Sequence, residues 1–169
     1  MSFEQPDSLD MSSPDSKRTS YESLGAQLRS LLEGERNWLA NLCQFSALIY
    51  GSVPGLNWAG FYLANDRQLV LGPFQGKVAC VRIPFDRGVC GACARTREIQ
   101  IVEDVHAFDG HIACDSASRS ELVLPVIVDG QLRAVFDLDS PLLARFDVLD
   151  AEGMASMLST LVLATDWPA

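Results

Sequence analysis

Four of the five cysteines in this sequence fall between Cys80 and Cys114. The last lies in the run GHIACDSASRSE, Gly110 to Glu121, with His111 three residues upstream and Asp115, Arg119 and Glu121 downstream. Three chemistries use thiols in such a cluster. Cys90 and Cys93 form C-x-x-C at the start of a short helix, and a helix N-terminus lowers a thiol pKa. A dithiol oxidoreductase of that kind needs a βαβ context, which the sequence lacks. Zinc is the second option, with Cys80, Cys90, Cys93, His106, His111 and Cys114 as donors. There is one C-x-x-C and no second pair at structural-zinc spacing, so no metal is assigned. Thiol redox chemistry is the third. One cysteine attacks, passes through a sulfenic acid and is resolved by a second cysteine as a disulfide. Cys114 on a long loop suits the attack, and Cys80 on a strand comes within reach if that loop folds over the sheet. Cys43 lies inside a helix and reads as a small buried hydrophobe.

The elements around these residues are legible from periodicity. Tyr21, Leu24, Leu28, Leu31 and Leu32 predict a first helix, broken at Gly34. Trp38, Leu39, Leu42, Phe45 and Ile49 predict a second, ending near Gly51 and Pro54. NWAGFYLA from Asn57 and RQLVLG from Arg67 are strands joined by the turn Asn65-Asp66. VACVRIPF from Val78 is a third strand, broken by Pro84. Asp86 is expected to cap the short helix with Cys90 and Cys93, and IQIVED from Ile99 is a further strand. Residues 103–119 show no period and form a long loop, a feature that is uncommon without a function. ELVLPVIVDGQLRAVFDLDS is a hairpin around Asp129-Gly130. Asp147 caps a last helix bearing Met154, Met157, Leu158, Leu161 and Val162. Short turns between consecutive strands imply an antiparallel sheet, and helices from both chain ends can pack on one face of it. The fold class is α+β. Residues 1–18, rich in Ser, Asp and Pro, read as a disordered tail, with one domain over 19–165.

Strand alternation sorts the polar residues by face. Trp58 and Tyr62 share a face, and Gly60 leaves a gap between them. That is either ordinary packing, a close backbone approach or an aromatic slot for a small apolar group. Leu132, Ala134, Phe136 and Leu138 form the core side of the last strand, and Asp137 and Asp139 the other. A two-residue hairpin loop pairs Leu122 with Asp137 and turns Glu121 to the core. A three-residue loop pairs Glu121 with Asp137 and crowds three carboxylates together. Pro125 can also force a bulge and shift the register. Such crowding destabilises a sheet unless a cation binds or a carboxyl stays protonated.

Composition limits the partners. The chain has 169 residues, is 48% hydrophobic and carries a net charge of −9 without a basic patch, which argues against a nucleic-acid role. Its start has no apolar leader segment, and no run of about 18 apolar residues suggests a membrane span. The expected compartment is the cytoplasm, where stable disulfides are rare and clustered cysteines point to chemistry.

Asn57 to Phe146 resembles the free methionine-(R)-sulfoxide reductases, which are single GAF-domain proteins. The matching motifs are NWAGFYL, LVLGPFQGKVAC, RIPFDRGVCG, DVHAFDGHIACDSASRSE and FDLDSP, in order over about ninety residues. The resemblance implies that Cys114 is the catalytic cysteine, Cys80 the resolving one and Cys90 a further cysteine that helps in recycling. It implies that Trp58 and Tyr62 hold the methyl end of the substrate. Glu121, Asp137 and Asp139 are implied to bind its amino group and assist at the sulfoxide oxygen. It implies R stereochemistry and thioredoxin, or another external dithiol, as reductant, with no bound cofactor. Cys93 stands where the family has a small residue. Homodimers are common among GAF domains. The residue types suit the chemistry. A sulfoxide sulfur is electrophilic only when its oxygen is protonated or strongly hydrogen-bonded, so the site needs a thiolate and a general acid. A crowded carboxyl keeps a proton, and the remaining carboxylates would hold the ammonium of a free amino acid. The alternative is a non-catalytic GAF sensor, which has no use for two redox cysteines beside an acidic cluster.

Overall fold

The computed structural model describes residues 9–108, 110 and 116–168. Its elements are α1 (Pro14–Leu31), α2 (Trp38–Ser52), β1 (Trp58–Asn65), β2 (Gln68–Gly76), β3 (Arg82–Pro84), α3 (Gly88–Thr96), β4 (Gln100–Val102), β5 (Ser120–Val128), β6 (Gln131–Ser140) and α4 (Val148–Ala164). The six strands form one antiparallel sheet in the order β3-β2-β1-β6-β5-β4. The expected α+β architecture is present, with α1, α2 and α4 on one face. Leu24, Leu28, Phe45, Ile49, Met154 and Leu161 pack there against Phe61, Leu122, Leu124 and Phe136. The rings of Phe45, Phe61 and Phe136 lie 4.6 to 5.6 Å apart. The opposite face carries a second apolar cluster, covered by α3 and built on Trp58, Tyr62, Val89, Cys90, Cys93, Val105, Val123 and Val135. Among the described residues no helix is long and apolar enough to cross a membrane.

Several local expectations need correction. Helix α1 begins at Pro14, inside the segment 1–18 read as a tail. The Ser13 side chain accepts from the Ser16 amide and proline occupies the first helical turn, where its missing N–H is no loss. The tail's low apolar content hid that start signal. Residues 1–8 lie outside the described residues. The third strand shrinks from Val78–Phe85 to Arg82–Pro84. Arg87, not Asp86, precedes α3, and no side chain caps it. Cys43 is exposed rather than buried. The 103–119 segment contains a 3₁₀ turn over Val105–Ala107, capped by Asp104. Asp147 does cap α4, in a reciprocal box with Asp150.

The β5–β6 hairpin takes neither register derived for it. Asp129 and Gly130 form a two-residue turn with φ of 51° and 75°, the positive pair such a turn requires. Val128 pairs with Gln131 and Ile127 with Leu132, but Val126 pairs with Ala134. Arg133 is the extra residue of a β-bulge. The bulge sends Leu132 to the α3 side, away from the core face expected for it, and brings Glu121 opposite Asp139.

Candidate active site

The register lays the polar residues out in rows across the α3 side of the sheet. Asp139 has Trp58 as its partner on one side and Glu121 on the other. In the next row Asp137 lies between Gly60 and Val123. Directly opposite side chains share a face, so an aromatic and three carboxyl groups converge. Helix α3 closes this patch from above. Gly91 lets it approach, since a Cβ there would lie 2.6 Å from the Pro84 carbonyl. The helix sets the Cys90 Sγ 4.0 Å from Glu121 Oε1, where its S–H donates. One turn on, Cys93 points at the Val123 carbonyl, 3.7 Å away.

Electrostatics here are governed by burial. Glu121 Oε2 and Asp137 Oδ1 are buried without a hydrogen-bond partner. Burial pushes the Glu121 carboxyl well above the usual range, and the charges of Asp137 and Asp139 push the same way. Asp137 is raised by burial to about 6, with hydrogen bonds to Cys90, Glu121 and the Leu138 amide holding it down. Burial and mutual repulsion thus favour a proton retained within this pair of carboxyls. Burial, then Asp137 and Glu121, pushes the Cys90 thiol up. Burial and Asp137 do the same to Cys93. This reverses the expectation that a helix N-terminus would lower the C-x-x-C thiols. The field of the facing carboxylates and the loss of water outweigh the helix dipole.

The aromatic face is fuller than the alternation suggested. Trp58 stacks on Tyr62 with centroids 5.7 Å apart, and on Phe74 at 5.3 Å. The gap over Gly60 is taken by Phe74, whose Cβ would lie 2.3 Å from a Cβ at Gly60. Phe74 was missed, although a glycine between two aromatics is itself the signal that a neighbour enters. The polar ends of the aromatics hold the segment leading to Cys80. The Trp58 indole N–H donates to the Lys77 carbonyl at 3.1 Å, and the Tyr62 hydroxyl donates to the Cys80 carbonyl at 3.1 Å. Cys80 is disulfide-bonded, whereas Cys43, Cys90 and Cys93 are free thiols. Cys114 lies outside the described residues. Close by, Asn57 Nδ2 donates to Ser118 Oγ at 3.1 Å and ties β1 to the segment entering β5. The structure thus brings Trp58, Tyr62, Cys90, Glu121, Asp137 and Asp139 to one side of the sheet.

The GAF domain family matches residues 47–166. The free methionine-R-sulfoxide reductase of Escherichia coli (strain K12) is 51% identical over 147 residues, covering 86% of this chain and 89% of that protein. This chain belongs to the free methionine-R-sulfoxide reductase family of GAF-domain proteins. The free methionine-R-sulfoxide reductase of Saccharomyces cerevisiae is 43% identical over 158 residues, with 89% and 88% of the two chains covered. The free methionine-R-sulfoxide reductase of Neisseria meningitidis, solved in complex with its substrate, superposes with a TM-score of 0.84. It is 41% identical and covers 93% of this chain and 94% of that one. Family membership favours the reductase over the sensor, because the fold alone serves both.

Proposed function

We propose that the protein reduces free methionine-R-sulfoxide to methionine, using an external dithiol. The observation that carries this reading is the buried Glu121–Asp137 pair, with an unpartnered oxygen on each, beside the Trp58–Tyr62 stack. Glu121 retains its proton and hydrogen-bonds the sulfoxide oxygen, which makes the sulfur electrophilic. Asp137 and Asp139 take the substrate's ammonium. That demand selects the free amino acid, because a peptide presents a neutral amide at this position. The aromatic stack contacts the S-methyl group.

In the first half-reaction the Cys114 thiolate attacks the sulfoxide and takes its oxygen. Methionine leaves, the proton of Glu121 passes to the transferred oxygen, and Cys114 becomes a sulfenic acid. The Cys80 thiol then displaces that oxygen as water and closes a Cys80–Cys114 disulfide. A thioredoxin-type dithiol in the cytoplasm reduces the disulfide and is itself oxidised. The disulfide at Cys80 supports its role as the resolving cysteine. The raised pKa of Cys90 argues against its use as an attacking thiolate and favours a role as hydrogen-bond donor to Glu121.

The test measures methionine formed from free methionine-R-sulfoxide, with dithiothreitol and with thioredoxin as reductants. Cys114→Ser is expected to be inactive with both. Cys80→Ser is expected to keep activity with dithiothreitol and lose most of it with thioredoxin. Peptide methionine sulfoxide should be a poor substrate. Equal rates on the peptide and on the free amino acid would overturn the role of the acidic cluster.

A further inference from the structure

Cys90, Glu121 and Asp137 each place one potential ligand atom within 4.8 Å of the other two. All three side chains are more than nine-tenths buried, at 3%, 6% and 5% exposure. Two of the carboxylate oxygens have no hydrogen-bond partner. Among the described residues, no lysine or arginine pairs with either carboxylate. Buried oxygens without partners are costly, and they offer lone pairs to whatever cation enters. The substrate's ammonium is one such cation. A thiol beside two carboxylates is also a donor set for another class.

We propose that, in the absence of substrate, Cys90, Glu121 and Asp137 form a three-ligand site for zinc(II), so that zinc and methionine sulfoxide compete for one place. The inference rests on reading the acidic cluster as the ammonium site. Zinc takes cysteine sulfur and carboxylate oxygen in tetrahedral sites, and three protein ligands leave the fourth position to water. Magnesium and calcium are hard cations that take oxygen ligands. A soft sulfur donor also selects against them. Binding releases the Cys90 proton and the proton held by Glu121 to solvent and forms one sulfur–metal and two oxygen–metal bonds, with no change of oxidation state. Cys93 stays outside the set, its sulfur turned to the Val123 carbonyl. The site therefore differs from a cysteine–histidine centre built along the 80–114 segment. The functional consequence is inhibition of the reductase by free zinc, relieved by substrate.

The experiment uses the full chain carrying Cys80→Ala and Cys114→Ala, which can neither turn over nor bind metal through those two sulfurs. Cadmium(II) is titrated as a spectroscopic stand-in for zinc, and its thiolate charge-transfer band is followed in the ultraviolet. Tryptophan fluorescence reports methionine-R-sulfoxide binding separately. One equivalent of cadmium is expected to bind, and zinc should displace it. Adding Cys90→Ser should abolish the band. Glu121→Gln should weaken binding by at least about tenfold, the loss that even a supporting residue around a metal causes. Methionine sulfoxide should raise the apparent Kd for cadmium. Circular dichroism checks the fold of each variant, and Glu121→Gln serves if Cys90→Ser does not fold. A band that survives Cys90→Ser assigns the metal to Cys43 or Cys93 and overturns the site. No band in a protein that still binds the sulfoxide overturns the zinc inference and leaves the reductase reading intact. A band that the sulfoxide cannot displace overturns the competition and with it the ammonium assignment.

Discussion

Asp137 carries a pH dependence whose sign follows from its burial. Its folded pKa of about 6 lies above the ordinary carboxylate value near 3.9. Below about pH 4 the folded and unfolded states both hold the proton. Between about 4 and 6 the folded state holds it and the unfolded chain does not, so stability falls as pH rises through that window. Above about 6 the cost is fully present. Asp137→Asn removes this titration. Its melting temperature relative to wild type should therefore be higher at about pH 7.5 than at about pH 4.5. The gap should be at least about 3 °C, since 1 kcal/mol moves a domain of this size by roughly 2–4 °C. A difference that does not vary with pH would mean that the folded carboxyl titrates normally. Strand alternation put Asp137 and Asp139 on one face, but Glu121 joined them only through the family resemblance, because neither register derived for the hairpin is the one adopted. Neither signal revealed which carboxyl keeps the proton, because that depends on desolvation by α3, a helix that approaches from a distant part of the fold.

At the scale of elements, two contacts hold the site's frame. Phe74 on β2 enters the space over Gly60 on β1, and a methyl group there would meet the Phe74 Cβ at 2.3 Å and the Trp58 ring at 2.8 Å. Gly60→Ala should cost about 1–3 kcal/mol by overpacking, read as a lower denaturation midpoint. Methionine sulfoxide reduction should fall with it, because Trp58 must move. Full activity in a stable Gly60→Ala protein would show that the aromatic stack is dispensable. On the other face, the buried Lys17 ammonium joins α1 to α4, at 2.9 Å from Asp147 and 2.8 Å from Asp150. The Tyr21 hydroxyl donates to Asp150 at 2.7 Å, and Arg145 reaches the same carboxylate. Lys17→Met strips one partner from a fully buried charge. The expected loss is about 3 kcal/mol, the low end for breaking a buried pair, because Tyr21 and Arg145 remain. Amide hydrogen exchange should accelerate first in α1. Unchanged exchange there would mean that the apolar stripe of Tyr21, Leu24 and Leu28 docks the helix unaided.

Across the whole molecule, periodicity revealed the six strands, the flanking helices and their α+β arrangement, since each depends on local apolar spacing. The turn at Asp129-Gly130 was legible for the same reason. Three features were not. Cys43 sits among buried neighbours on α2 yet faces outward, and free cysteine's general preference for burial gave the wrong side. The start of α1 was hidden by the polar composition around it. The bulge at Arg133 has no signature of its own, although it decides that Glu121 faces Asp139. That bulge has a consequence for insertions and deletions. It is the hairpin's slack. Removing Arg133 takes out the one residue without a partner and leaves Ile127 with Leu132 and Val126 with Ala134. Removing Val135 instead lets the same slack close, which keeps Phe136 to Ser140 in register but carries Arg133 into the place of Ala134 on the core face, where its charge has no partner. The first deletion should retain sulfoxide reduction and the second should abolish it, although the two sites are neighbours on one strand. Equal loss in both would mean that the bulge itself shapes the site. On this account the hairpin can lose a residue near its tip without moving the acidic cluster, provided that the side chains left behind keep their faces.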